Sequence, residues 1–201
     1  MDFYGIIAVP CHSIIGSRVP HICVDCESRL WYNSIMEIEL VRVKQTDKLA
    51  RSYITNHYTQ PRGFIGRVIT YLIKVDKEIC GVIVGGSTSL HLPGRRDFFG
   101  DCNIQDIINN RLFRLENNIP NLGSQILKLW RHLVVRDWES IYDSKVIGFE
   151  TLVKPPRTGA VYKADNWILT GMTRGYTATR PTRDYRNWIK TEPRLVFSKR
   201  I

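Results

Sequence analysis

A mixed α/β fold, with one sheet that has a parallel strand pair near its centre and helices packed against it, is what this sequence of 201 residues predicts. Three observations carry that expectation. Ile126, Leu127, Trp130, Leu133, Val134, Trp138 and Ile141 recur at helical spacing, an apolar stripe that has to pack on a sheet. Residues 145–153 are nearly all apolar, as a strand covered on both faces must be. Residues 111–116 read as a strand just before the helix, so strand, helix and strand together imply a parallel crossover.

The remaining elements follow in order. Ile38, Leu40, Val41 and Val43 mark a first strand. Residues 46–58 read as a helix with Leu49, Ala50, Tyr53 and Ile54 on one side, broken at Gln60-Pro-Arg-Gly63. Residues 67–75 and 78–84 form two antiparallel strands around Asp76-Lys77, the length of a tight turn although lysine suits it poorly. Gly85-Gly-Ser87 opens a polar stretch that runs to Gly100, and residues 104–109 suggest a short helix. In the strand at 111–116, simple alternation sends Arg111 and Arg114 to opposite faces, so one of them faces the cleft. Pro155-Pro156 stops the apolar strand, residues 161–165 form a short helix, and weaker strands at 167–173 and 194–197 close the series. Residues 1–34 show no sustained periodicity and are expected to be an irregular extension to a single domain over residues 35–201.

Composition narrows the setting. No apolar run reaches the roughly 18 residues needed to span a bilayer, and the first fifteen residues lack the basic start and small-residue cleavage site of a secretory signal. A soluble, cytoplasmic protein is expected. The chain carries 29 basic against 19 acidic residues, net +10. Residues 171–201 hold 8 Lys plus Arg against 2 acids, +6 of that total, interleaved with Tyr176, Tyr185, Trp188 and Phe197. Such a segment suits a phosphate backbone with rings stacking on bases, which makes DNA the expected partner; a solvated basic face with core aromatics is the plainer alternative. Five cysteines argue against a disulfide framework. Cys23 and Cys26 have the spacing of half a zinc site, with Cys11, His12 and His21 nearby, or are plain reduced thiols.

Residues 117–124 (Asn-Asn-Ile-Pro-Asn-Leu-Gly-Ser) carry the chemical expectation. A strand feeding a Gly-containing loop at a helix start leaves backbone N–H groups free beside the positive end of the helix dipole. The anion expected there is the phosphate portion of an acyl or aminoacyl donor, held by Asn121, Leu122, Gly123 and Ser124, although Asn121 or Ser124 also suits a helix cap.

This order of elements resembles the GNAT acyltransferase fold. The resemblance implies a sheet whose central parallel strands splay apart, with the pantetheine arm of acetyl-CoA or a similar donor in the gap and its pyrophosphate at the loop. That loop in the family begins with Gln or Arg and ends with Gly or Ala; here Pro120 and Gln125 stand at those places. A closer resemblance is carried by Asn56-His57-Tyr58, Val84-Gly-Gly86, Asp97-Phe-Phe-Gly100, Asn109-Asn-Arg-Leu-Phe-Arg114, Pro120-Asn-Leu-Gly-Ser124, Asp137-Trp138, Phe149-Glu-Thr151, Arg157-Thr-Gly159, Tyr162-Lys-Ala-Asp-Asn-Trp167 and Gly171-Met-Thr-Arg-Gly175. In this order, over about residues 50–175, they look like the phage Mom DNA-modification family.

That resemblance implies a transferase adding a carbamoylmethyl group to the N6 amine of adenine in phage DNA, protecting it from host restriction. His57 is the proton acceptor or a helix-capping histidine, and Tyr58 a hydrogen-bonding partner of donor or base, or a core aromatic. Tyr162 sits where GNAT enzymes place the tyrosine that protonates the departing group, or else packs beside Trp167. The relatives carry an acid where this chain has Lys154, so a catalytic carboxylate falls to Glu150 or Asp97. Arg114 joins the donor site, and Arg157, Arg174, Tyr176, Arg180 and Arg183 the DNA surface. Iron, with His57 as a ligand, is a further implication. Reaching adenine in a duplex requires extruding the base, at a few kcal/mol of unstacking. Two other functions fit the same features: a GNAT enzyme acting on another amine or a modified pyrimidine, and an inactive DNA-binding module.

Overall fold

The computed structural model describes residues 36–59, 61, 64–178 and 188–201. The expected extension over residues 1–34, with its cysteine and histidine cluster, lies outside the described residues, as do Arg180, Arg183 and Tyr185. Met36–Ile201 forms one unit.

Strand β1 (Ile38–Val43) leads into α1 (Lys48–Thr55), which starts at Asp47, whose Oδ1 accepts the N–H groups of Leu49 and Ala50. β2 (Val68–Val75) and β3 (Glu78–Ser87) form the expected hairpin. Asp76 and Lys77 both take positive φ, 50° and 72°, as a turn matching the strand twist requires, so the lysine is held in a backbone region it ordinarily avoids.

The stretch after β3 departs from expectation. Arg95–Phe99 forms α2, five residues where the sequence read only as polar. Residues 104–106 make a single 3-10 turn instead of a helix over 104–109, and β4 runs over Ile107–Leu115. Ile107, Ile108, Asn109 and Asn110 are all buried and pair with β5 (Gly148–Val153), and that pairing outweighs local helical preference.

Between them α3 (Leu122–Tyr142) makes the parallel crossover. It buries Ile126, Leu127, Trp130, Val134 and Trp138 against Ile69, Tyr71, Ile73, Ile83, Ile108 and Phe149; Ile141, expected in the same stripe, is exposed beyond the sheet. A Cβ on Gly85 would stand 3.1 Å from Trp130, so the missing side chain sets how closely the helix approaches. On the opposite face Ala50 and Ile54 of α1 pack on Leu72, Val82, Val84 and Leu112.

After β5 come α4 (Ala160–Ala164), β6 (Ile168–Met172), the small hairpin β7 (Tyr176–Ala178) and β8 (Trp188–Lys190), and finally β9 (Leu195–Arg200). The seven-stranded mixed sheet has the order β1-β2-β3-β4-β5-β9-β6, with the parallel β4–β5 pair at its middle. β9 is an inner strand, and its Phe197 is fully buried in the core, so this aromatic belongs to packing and not to a nucleic-acid surface.

Candidate active site

β4 and β5 pair only from Ile107↔Gly148 to Asn110↔Thr151. β4 continues to Leu115 and β5 to Val153 without pairing to each other. The strands therefore part at Asn110 and Thr151 and leave a wedge of about 390 Å³, walled by Leu112 and Phe113 on one side and Leu152 and Val153 on the other, with Arg157 at its mouth and Tyr162 at the inner end. Among the described residues no carboxylate lines it.

A bulge in β4 assists the parting. Val84 pairs with Leu112 and Gly85 with Asn110, which leaves Arg111 as an extra residue. The added residue shifts the alternation by one. Arg111 lies over Phe64 and donates to the Ile65 carbonyl at 2.8 Å, while Arg114 lies over Tyr53. Phe64 and Tyr53 pack on one cluster, so both guanidiniums are on the α1 face, contrary to the expectation that they oppose each other. Arg114, expected at the donor site, instead donates to the Tyr53 carbonyl and pairs with Glu116 at 3.0 Å.

Three residues close the throat. The Tyr162 hydroxyl donates to Asn110 Oδ1 at 2.7 Å, and Thr151 Oγ1 donates to the Asn110 carbonyl at 2.9 Å. Tyr162 also packs on Trp167 and Phe197, so its packing and its placement in the wedge hold together. Burial pushes its phenol well above the ordinary range, so it carries its proton at neutral pH.

At the rim, Arg157 lies 4.1 Å above the half-exposed Tyr58 ring, which in turn contacts the His57 ring at 4.4 Å. His57 is buried, and its Nδ1 accepts the Thr59 N–H at 3.3 Å with the Thr59 hydroxyl 2.7 Å away. Burial, reinforced by Arg157, lowers its pKa to about 4 against the opposing pull of the Phe113 backbone. A neutral imidazole results, with its proton on Nε2.

Neither carboxylate candidate lines this wedge. Glu150 is fully buried on the opposite face of β5, pairs with Arg95 at 2.7 Å and accepts from Thr88 at 2.7 Å. Its role is structural: the same guanidinium also holds the carbonyls of Ser89 and Leu90. Asp97 is exposed on α2. Among the described residues no group of three His, Cys, Asp or Glu is placed to hold a metal ion, and the cation beside His57 opposes one.

The start of α3 adjoins the wedge, because a Cβ on Gly123 would stand 2.7 Å from Val161 in the wall. Asn121 takes φ 62° and makes no side-chain cap; Ser124 Oγ donates to the Asn121 carbonyl at 2.9 Å. Among the described residues neither side chain caps the N–H groups of Gly123 and Ser124. Leu122 is buried and its N–H donates to the Ile119 carbonyl at 3.3 Å, so the backbone donor expected for an anion at this residue is already engaged.

A second groove of about 1270 Å³ opens beside the wedge, and Leu152 lines both. Arg174, Tyr176 and Arg194 line it with the loop of residues 89–93. Arg96 is paired with Asp101, whereas Arg174 and Arg194 have no ion-pair partner among the described residues.

Asn110, Thr151 and Arg95 carried no role in the sequence reading. The polar Asn109-Asn110 pair directly after Ile107-Ile108 was the available signal for the first.

No protein-family model matches the sequence, and no curated protein matches it. Among solved structures, the fold is similar to a Bacillus subtilis acetyltransferase in complex with CoA, at 9% identity over 83% of this chain and 99% of that one, with a TM-score of 0.53. A GNAT family acetyltransferase from Elizabethkingia anophelis with acetyl-CoA bound aligns at 11% identity over 82% and 98%, TM-score 0.52. Aminoglycoside acetyltransferase AAC(6')-Ib in complex with coenzyme A and kanamycin aligns at 15% over 82% and 95%, TM-score 0.52. The shared feature is the fold, a mixed sheet flanked by helices as in GNAT acetyltransferases.

Proposed function

We propose that this chain is an N-acyltransferase that takes its acyl group from a coenzyme A thioester in the wedge and gives it to an amine presented from the neighbouring groove. The observation that carries this reading is the separation of β4 and β5 beyond Asn110 and Thr151. The residues present fit the donor: the wedge has no carboxylate to repel phosphates, Arg157 stands at its mouth, and the N–H groups of Gly123 and Ser124 adjoin it. A thioester supplies an activated carbon, to which the amine nitrogen bonds as the carbon–sulfur bond breaks, the nitrogen losing a proton and the sulfur gaining one. Tyr162, protonated and in the throat, is the group suited to supply the sulfur's proton. His57, neutral at working pH, suits proton removal from the amine with Tyr58 packed on it, once its Nδ1 is released from Thr59.

The sequence motifs suggest more narrowly that the acceptor is the N6 amine of adenine in phage DNA and that the group added is carbamoylmethyl; that group joins nitrogen through its methylene carbon, so it would call for a donor with the leaving group on that carbon in place of transfer from a thioester carbonyl. This narrower reading rests on the ordered sequence motifs, and the guanidiniums of Arg174 and Arg194, without an ion-pair partner among the described residues, in a groove that shares Leu152 with the wedge support a phosphate-bearing acceptor. Calorimetric titration with CoA and acetyl-CoA tests the donor. Mass spectrometry of nucleosides from cells expressing the protein tests the acceptor and identifies the group: an adenosine adduct supports DNA adenine, an altered pyrimidine or a labelled small amine the alternatives. Binding of neither CoA nor acetyl-CoA overturns the donor assignment.

A further inference from the structure

Leu112 belongs to the cluster beneath α1, whereas Val153 and Tyr162 belong to the cluster beneath α3, so the wedge they line reaches both faces of the sheet. The start of α3 adjoins it on one face; on the other stand His57 and Tyr58, which directly follow α1. Two arginines, Arg111 and Arg157, line the wedge as well, and their stacking on Phe64 and Tyr58 sets both on the α1 side. Arg111 spends one N–H on the Ile65 carbonyl at 2.8 Å; burial disfavours its charged form, and no acidic neighbour offsets that cost. Arg157 is exposed, yet its guanidinium is held 4.1 Å above the Tyr58 ring and makes no hydrogen bond to the protein among the described residues. Arg95, Arg114 and Arg131 each have an acid beside them, in Glu150, Glu116 and Asp165. Arg111 and Arg157 have none among the described residues, and no carboxylate there lines the wedge. Two uncompensated cations on one cavity call for an anion from outside the chain.

A coenzyme A thioester has its phosphates at one end and its acyl group at the other. With the phosphates toward the start of α3, the acyl end is the part that reaches the α1 face. Resting on the acyltransferase reading, we infer that the donor's acyl group itself ends in a carboxylate, held by Arg111 and Arg157, so that the donor is a short dicarboxylic acyl-coenzyme A thioester. A guanidinium suits this task because its planar fork pairs a carboxylate through two parallel N–H bonds. The carboxylate takes no part in the bond change: the amine nitrogen bonds to the thioester carbonyl carbon, the carbon–sulfur bond breaks, the nitrogen loses a proton and the sulfur gains one. The product amide carries an acid where the acceptor carried a basic nitrogen.

Calorimetric titration of the wild type with CoA, acetyl-CoA and butyryl-CoA, and with malonyl-, succinyl- and glutaryl-CoA, tests this without any variant. At least one of the three dicarboxylic thioesters is expected to bind roughly tenfold or more tightly than acetyl-CoA and butyryl-CoA, the worth of about one charge-assisted hydrogen bond. Arg111→Gln and Arg157→Gln are each expected to reduce that preference. Because it is a ratio between thioesters with identical phosphates, it is indifferent to any part Arg157 has in holding those phosphates. If the uncharged thioesters bind and no dicarboxylic one binds more tightly, or if both variants keep the full preference, this inference alone is overturned. If the wild type binds neither CoA nor any of the thioesters, the acyltransferase reading is overturned and this inference with it.

Discussion

Arg95 and Glu150 form a buried ion pair, 2.7 Å between Nη2 and Oε2, on the face of β5 that fronts the groove. The guanidinium makes further bonds to Thr88 Oγ1 and to the carbonyls of Ser89 and Leu90, so one side chain fastens the groove's loop to the sheet. Replacing Glu150 by Ala strands a buried cation, and the stability loss is expected to be about 3–5 kcal/mol. Replacing both residues by apolar ones should recover a large part of it. Urea denaturation of the single and double variants measures both.

Tyr162→Phe keeps the ring against Trp167 and Phe197 and removes only the hydroxyl. The expected result is a fall in kcat of about 100-fold or more with CoA affinity unchanged. Steady-state kinetics beside calorimetry separates the two. An unchanged kcat would remove the phenol from the chemistry.

His57 has its pKa lowered to about 4 in the folded chain, from an ordinary value near 6.5. Between those values the unfolded chain binds the extra proton, so stability is full above pH 6.5 and declines as pH falls toward 4. Relative to His57→Gln, the wild type is expected to lose up to about 3 kcal/mol across that window. Denaturation of both proteins at pH 7 and pH 4.5 checks the sign. The same lowering implies a transfer rate without an inflection from His57 near pH 6.5.

Gly123→Val places a branched side chain where even a Cβ would stand 2.7 Å from Val161. The first turn of α3 has to move away from the wall of the wedge. CoA affinity is expected to fall roughly tenfold or more, corresponding to about 1.4 kcal/mol. Isothermal titration reads this directly.

Arg174→Ala and Arg194→Ala test the groove. If DNA lies there, each substitution should weaken binding uniformly across sequences and reduce the slope of log affinity against log salt by about 1. Neither should shift thermal stability much, since both guanidiniums lack ion-pair partners among the described residues. Binding isotherms at several salt concentrations supply the slopes.

Much of this fold was legible in the sequence because its signals are local. The stripe through Ile126, Trp130 and Trp138 marked α3, and the apolar run ending at Val153 marked β5. That the central parallel strands part followed from the family resemblance and not from periodicity, and neither placed the parting at Asn110. What alternation missed was non-local. The bulge at Arg111 depends on the register against Val84 and Gly85, and no count along β4 alone reveals that Arg111 and Arg114 share a face. Glu150 read as catalytic because a carboxylate was wanted near the end of β5, and only the fold brings Arg95 to neutralise it. His57, Tyr58, Arg157 and Tyr162, over a hundred positions apart at their extremes, do meet at one wedge.

β9 follows every other described strand along the chain yet lies between β5 and β6. During synthesis, β6 leaves the ribosome with no edge to join, and β5 keeps one flank bare until residues 195–200 emerge. Assembly of the half-sheet that carries Tyr162's packing partner Phe197 is therefore a late event. Nascent chains halted before residue 195 should hold the β1–β4 meander while remaining unable to form the ligand wedge, which would make ligand capture a direct report of translation past that point.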